Sequence, residues 1–315
     1  MTPPRLAVVM PLYNENESIA SVLAGLLRAL QGACLSGLDV ILVDDASTDD
    51  SVEAARASWR MLAAGGAAAR LHVVRLAVNV GHQRALAAGF RRARELDADL
   101  IFSMDSDGQD DPAALPGMIE LLSRFEIVFA ERSKRSESLP WLLGYFVYQA
   151  VFRAFLGARL PYGNFLGFRK EVLSLLLEGR TFRHLAATLS LAPCRKTSVK
   201  VARLPRTAGA AKMHVADLAD YAVAALTSHP DAWVRLFSRV ALLTAVSASL
   251  GGMSVVTIKL ATPYAIPGWA SVMTLILALI AFQAVGFLVL SAFLSSQTAL
   301  PPPKELGTSV DEARR

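Results

Sequence analysis

Short unbroken apolar runs, each closed by polar residues, recur through the first half of the chain. Leu6-Ala7-Val8-Val9-Met10 is the first, followed by Val40-Ile41-Leu42-Val43, His72-Val73-Val74-Arg75-Leu76 and Leu100-Ile101-Phe102-Ser103-Met104. Runs that are apolar throughout, without alternation, are expected of strands buried on both faces of a sheet. Between them lie helical segments, one opening near Ser18 and running to about residue 30, another over 84–96. This strand–loop–helix alternation predicts an α/β domain with a doubly wound, mostly parallel sheet. Residues 126–130 read as a further strand, and 162–169 as a tight loop entering another strand and helix.

Parallel strands joined by right-handed crossovers bring their carboxyl ends to one edge, where open α/β sheets place ligands. The loops at that edge are 11–15, 44–45, 81–83 and 105–109, and the last is the most acidic. Asp105 and Asp107, with Gln109 as a third oxygen, suit a hard cation such as Mg²⁺ or Mn²⁺. Taken alone, Asp-x-Asp followed by Gly and Pro is equally an acidic surface turn. After the strand at 126–130 come Arg132, Lys134 and Arg135, cations expected to face the same cleft. Residues 204–213 form a basic, small-residue segment able to close over phosphates.

The formal charge of +5 on 315 residues is modest, and its Lys and Arg are spread from Arg132 to Lys212. That spread suits an anionic small molecule or lipid headgroup, and no nucleic-acid recognition motif is present. Two cysteines, Cys34 and Cys194, have neither metal-ligand spacing nor a disulfide pattern and fit a reducing compartment. The opening Met1-Thr2-Pro3-Pro4-Arg5 has no signal-peptide pattern. Residues 139–160, rich in Trp, Tyr and Phe, read either as an interfacial helix or as an ordinary core helix.

Two uncharged apolar runs, 240–258 and 270–294, are each long enough to cross about 30 Å of hydrocarbon. Arg235 and Arg239 precede the first, and Lys304, Arg314 and Arg315 follow the second. The positive-inside bias then puts the large domain and both termini in the cytoplasm, with Lys259 mildly opposing. The expected organisation is a cytoplasmic catalytic domain over 1–214 and a juxtamembrane amphipathic helix over 215–238. Two membrane helices over 239–295 and a disordered tail over 296–315 complete it. Paired spans and an interfacial helix are compatible with a homo-oligomer.

Five motifs occur in order: Pro11-x-Tyr-Asn-Glu15, Val43-Asp-Asp-x-Ser47, Asn79-x-Gly-His-Gln83 with Ala85 and Gly89, Asp105-x-Asp-x-Gln109-Asp-x-Pro112, and Arg206-x-x-Gly-x-x-Lys212. The ordered set resembles the family-2 glycosyltransferases, in particular the polyprenyl-phosphate branch similar to dolichol-phosphate mannose synthase. The resemblance implies a GT-A fold, a nucleotide-sugar donor and a polyprenyl phosphate acceptor at the membrane. It implies that Pro11, Tyr13, Glu15, Asp44 and Asp45 hold base and ribose, with Gly81 and Gln83 beside the donor. Asp105, Asp107 and Gln109 match the metal and diphosphate site, Arg132 (with Arg135) the acceptor phosphate, and Arg206 and Lys212 a phosphate-binding loop. Two positions depart from the family pattern: Ala211 where a serine is common, and Asn164 where many relatives carry aspartate.

The implied chemistry is set by charge. Departure of a nucleoside diphosphate builds negative charge that Arg206, Lys212 and a metal on Asp105 and Asp107 would stabilise. A phosphate nucleophile is already ionised near neutral pH, its second pKa being about 6, so a strong general base is unnecessary. In-line attack would invert the anomeric carbon. Two other readings compete. A polysaccharide synthase would carry a Gln-x-x-Arg-Trp segment, which this chain lacks, and a catalytically inactive membrane scaffold has the acidic clusters against it.

Overall fold

The computed structural model describes residues 3–63, 69–132, 162–177, 184–205, 230–261, 268–296 and 305–312. The chain divides into two compact units, one built on a sheet and one on two long C-terminal helices.

The sheet unit contains β1 (Arg5–Leu12), α1 (Ile19–Ala29), β2 (Gly37–Asp44), α2 (Ser51–Ala63), β3 (Ala69–Leu76), α3 (His82–Glu95) and β4 (Leu100–Ser103). A 3-10 turn (Pro112–Ala114), α4 (Leu115–Leu121), β5 (Ile127–Arg132), β6 (Tyr162–Arg169), α5 (Val172–Leu177), α6 (Leu185–Leu191) and β7 (Lys196–Val201) follow. A last strand, β8 (Glu305–Glu312), lies beyond the helical unit in sequence. The strand order is β7-β5-β6-β4-β1-β2-β3-β8. β4, β1, β2 and β3 run parallel, β5 and β7 pair parallel, and β6 and β8 are antiparallel to their neighbours. The mostly parallel α/β sheet expected from the apolar runs is therefore present.

Successive side chains of a strand point to opposite faces, and here both faces are covered. Leu6, Val8 and Met10 of β1, with Leu38, Val40 and Leu42 of β2, join the apolar cluster that includes Val22, Leu23 and Leu26 of α1 and Trp59 of α2. The alternate residues face α3. Gly89 is the contact point there: a Cβ on it would lie 2.2 Å from Val9 Cγ1 and 2.9 Å from Val43 Cγ2. No side chain fits between α3 and the sheet at that position, so α3 sits close enough to fix the loop that precedes it.

A polar cluster on the same face was not read from the sequence. Asp39, 1% exposed, accepts from Arg5 Nε at 2.7 Å and stands 2.8 Å from His72 Nε2. Burial pushes its carboxyl upward, but the contacts with His72 and Arg5 more than reverse this and hold it below its ordinary value.

In the helical unit, α7 (Pro230–Ala261) and α8 (Trp269–Ser296) are each long and apolar enough to cross a membrane. Their apolar side chains point outward, with Leu243 67% and Phe282 76% exposed. Residues 230–238, the end of the expected juxtamembrane helix, are helical and continue into the span without a break. Within the expected tail, Glu305–Glu312 is a strand that pairs with β3, whose outer edge would otherwise present unpaired backbone groups. Residues 139–160 and 215–229 lie outside the described residues.

Replacing Gly89 by Ala should overpack the α3–sheet contact and cost about 1–3 kcal/mol. Thermal melting of the full chain in detergent should show a midpoint several degrees lower; an unchanged midpoint would mean α3 can shift without cost.

Candidate active site

The chain order β1, β2, β3 moves one way across the sheet, and β4 then returns to the other side of β1. The reversal opens a crevice outside the carboxyl ends of β1 and β4, the usual ligand position in such sheets. Met104 N donates to Val9 O at 3.1 Å, extending the β1–β4 register to the first residue before the acidic loop.

Hydrogen bonds lace the loops at this edge together. Asn14 N donates to Ser47 Oγ (3.1 Å), Glu15 N to Ser51 Oγ (2.8 Å) and Thr48 N to Asn14 Oδ1 (2.8 Å), joining the loop after β1 to the loop after β2. The buried Ser18 hydroxyl lies 2.8 Å from Glu15 Oε2 and 3.0 Å from the Ser106 carbonyl, while Ser106 Oγ donates to Pro11 O at 2.6 Å. Glu15 and the acidic loop are thus held in one constellation.

Asp44 and Asp45 are both buried and both engaged within the protein. Asp44 accepts from Ser47 N (2.9 Å) and from Arg75 Nε (3.3 Å). Asp45 accepts from Val80 N (2.7 Å) and Gly81 N (2.9 Å), so it grips the loop before α3. Burial raises the Asp45 pKa, the two backbone donors oppose that, and the neighbouring Asp44 charge adds to it.

In the acidic loop, Asp105 N donates to Asp110 Oδ2 (3.0 Å) and Gln109 N donates to Asp107 Oδ1 (3.0 Å). Arg203 Nη2 donates to Gln109 Oε1, the oxygen expected from the sequence as a third metal donor. Leu204 N also donates to Gln109 O (3.0 Å), and Asp110 bridges Arg203. The root of the basic segment that contains Arg206 and Lys212 is therefore fastened to the acidic loop. A cleft of about 210 Å³ beside it is lined by Gln109, Asp110, Ala130, Phe165, Val201, Ala202 and Arg203.

His82 stands where these loops meet. Its Nε2 lies 3.6 Å from Asp105 Oδ1, and the charges of Asp110, Asp45 and Asp107 all act on it. Burial lowers its pKa to about 4 against their pull, leaving a neutral ring. Nearby, His184 caps α6 by accepting from Ala187 N (3.2 Å), and burial again lowers its pKa to about 4.

Among the described residues no three or more His, Cys, Asp or Glu side chains form a ready metal cluster. Asp105 and Asp107 alone are a hard, two-carboxylate set. That fits Mg²⁺ or Mn²⁺, which bind through one or two carboxylates and leave the remaining positions to substrate phosphates.

The structure brings together Pro11, Glu15, Asp44, Asp45, Gly81, Asp105, Asp107 and Gln109, with Tyr13 exposed on the same loop as Glu15. Arg132 ends β5, its backbone in register with Val201. Arg135, Arg206 and Lys212 lie outside the described residues. Arg203 was not singled out in the sequence, Ser18 was read only as the opening of a helix, and His82, Asp110 and Asn164 were named in or beside the motifs without a role at the site. The basic character of Arg203 and the motif position of His82 were visible, but not their partners.

A mostly parallel α/β sheet with acid-tipped loops at its switch point is an arrangement found in many nucleotide-binding enzymes. Residues 7–174 match the model of Glycosyl transferase family 2, and the chain belongs to that family; it is a glycosyltransferase. Among curated proteins it is similar to an undecaprenyl-phosphate 4-deoxy-4-formamido-L-arabinose transferase of Photorhabdus laumondii, 27% identical over 81% of this chain and 77% of that one. The protein of the same description from Pseudomonas aeruginosa is 29% identical over 81% and 74%. Among solved structures, glucosyl-3-phosphoglycerate synthase of Mycobacterium tuberculosis, in complex with Mn²⁺, UDP-glucose and phosphoglyceric acid, superposes with a TM-score of 0.53. It is 18% identical and covers 73% of this chain and 79% of that one, a likeness of fold. The fold is GT-A.

A histidine in the unfolded chain takes up its proton near 6.5, whereas His184 does so only near 4. The unfolded state therefore binds more protons in that interval, and stability falls as pH drops from 6.5 towards 4. His184→Asn keeps a capping acceptor and removes the titration. Its melting temperature should decline less than that of the wild type between about pH 7.5 and about pH 5; parallel declines would exclude His184 as a source of the acid sensitivity.

Proposed function

We propose that the enzyme transfers a sugar from a nucleotide-sugar donor to a polyprenyl phosphate at a membrane surface, with a divalent metal and with inversion. The observation that carries this is the joining of Glu15, Asp45 and the Asp105–Asp107 loop at the β1/β4 crevice, with the basic segment rooted on the same loop at Gln109. The relatives described as undecaprenyl-phosphate sugar transferases supply the acceptor class.

Tyr13, on the loop after β1, is 39% exposed and offers a face for the base, with Glu15 and Asp45 as ribose acceptors. Asp105 and Asp107 would hold Mg²⁺ or Mn²⁺, which when bound supplies positive charge to the diphosphate. Arg206 and Lys212 are the protein's own cations for that group, and Arg132 and Arg135 are assigned to the acceptor phosphate. One oxygen of the acceptor phosphate bonds to the anomeric carbon from the face opposite the diphosphate. The sugar–oxygen bond on the other side breaks, and its electron pair leaves with the nucleoside diphosphate. The attacking oxygen carries no proton at neutral pH, so neither His82 nor His184 needs to act as a base.

A lipid-borne acceptor requires a membrane. The two helices meet the length and apolarity requirements, and two crossings return the chain to the side it left. The return is independently needed, because β8 follows α8 and belongs to the same sheet as β1. The charge bias around the spans favours the cytoplasm as that side.

Asp107→Ala should abolish transfer of sugar to polyprenyl phosphate, scored as loss of radiolabelled lipid product, while the protein stays folded and membrane-bound. Retained turnover would refute the assigned role.

A further inference from the structure

The helix α8 carries an amide side chain in the middle of its apolar run. Gln283 lies roughly halfway along the uncharged stretch 270–294, and at 1.5 Å of rise per residue it is about 16–20 Å from either end. That is too far for the side chain to reach a polar interface. It is exposed, and among the described residues none is hydrogen-bonded to it. Thr244, Ser249, Ser254 and Thr257 of α7 and Thr274 of α8 differ in this respect. Each of these hydroxyls donates to the carbonyl four residues before it, at 2.8–2.9 Å. A primary amide has two N–H donors and an acceptor oxygen, and in hydrocarbon no water meets them. Leaving them unmet there is costly.

The amide also lies on a defined face. Leu277, Ala281, Ala284 and Leu288 are the half-buried positions of this stretch and mark the side of α8 that packs against α7. A Cβ on Gly251 of α7 would lie 3.2 Å from Leu277 Cδ1. At about 100° of turn per residue, Gln283 stands about 130° from the centre of that stripe. Its own side holds Val272, Ile276, Leu279, Gly286 and Leu290, all exposed. With Gln283 they alternate in steps of four and three, the spacing of a seam along which helices pack in pairs. Gly286 lowers the seam next to the amide: a Cβ there would meet nothing within 4 Å, and a small residue lets a second backbone come close.

We infer that this face of α8 is where two copies of the chain pack within the bilayer, with the two Gln283 amides bonded to each other. Depth and chemistry select the occupant. A second copy is inserted in the same orientation, so its Gln283 arrives at the same depth. The amide is both donor and acceptor and is therefore complementary to itself, whereas a different membrane protein would have to bring its own polar group to that level. A single polar side chain in such a seam fixes the register and the number of helices. The inference rests on the reading of α7 and α8 as membrane spans and on nothing in the crevice.

The test is self-association of the full chain, reconstituted alone in phosphatidylcholine vesicles and followed by energy transfer between copies carrying donor and acceptor dyes at the amino terminus. Gln283→Leu, which keeps the helix apolar and removes the amide, should weaken association about 3–30-fold. The face is read separately. With Cys34 and Cys194 replaced by Ser, Leu279→Cys should give a disulfide-linked dimer on mild oxidation. Val285→Cys, also exposed but about 140° from the seam, should not. A chain that stays monomeric in the vesicles overturns the inference and leaves the membrane reading standing. So does a Gln283→Leu variant that associates like wild type, a Leu279→Cys chain that fails to cross-link, or a Val285→Cys chain that cross-links as readily. Protein stripped from the vesicles by alkaline carbonate overturns both.

Discussion

Carboxylates gathered at one sheet edge repel one another, and the domain is arranged around the cost of holding them there. Glu15, Asp44, Asp45, Asp105, Asp107 and Asp110 all belong to loops at the carboxyl ends of β1, β2 and β4. The protein meets much of that cost with backbone amides: Val80 and Gly81 on Asp45, Ser47 on Asp44, Gln109 on Asp107 and Asp105 N on Asp110. An amide N–H stabilises an anion without neutralising it. The amides set the positive ends of their dipoles against carboxylates that the loops hold close together.

The other end of the same sheet solves the opposite problem. Asp39 is as buried as Asp44, and each meets a guanidinium, Arg5 on Asp39 and Arg75 on Asp44; Asp39 also meets His72, itself within 3.4 Å of Arg92 Nη2. Side-chain cations close that site, and nothing is left for a ligand to complete. The comparison explains why a buried acid alone is poor evidence of function. What distinguishes the two ends is that backbone amides, more than side-chain cations, meet the acids at the crevice.

The central parallel strands were legible because they are buried on both faces and therefore read as unbroken apolar runs. The outer strands were not. β6 was read partly as a loop because Gly163 and Gly167 lower its strand character. Yet Gly167 is there because a Cβ would fall 2.3 Å from the ring of Phe102. β7, Lys196-Thr197-Ser198-Val199-Lys200-Val201, is polar and half-exposed, and β8 is held by backbone pairing with β3, so neither carries an apolar signature. The acidic loop could be read residue by residue. Its partners could not, because Ser18 reaches it from 88 residues away and Arg203 from 94, separations that no local pattern encodes.

Chain connectivity adds a constraint that charge counting lacks. β7 is parallel to β5, which is antiparallel to β6, itself antiparallel to β4, so β7 ends at the same edge as β4. The chain therefore leaves β7 at the edge that holds the carboxylates. It re-enters there too, since β8 begins at Glu305 opposite Leu76, the carboxyl end of β3. The strand before residue 206 and the strand after residue 304 thus meet the same edge of the sheet, the edge at which the β1/β4 crevice opens.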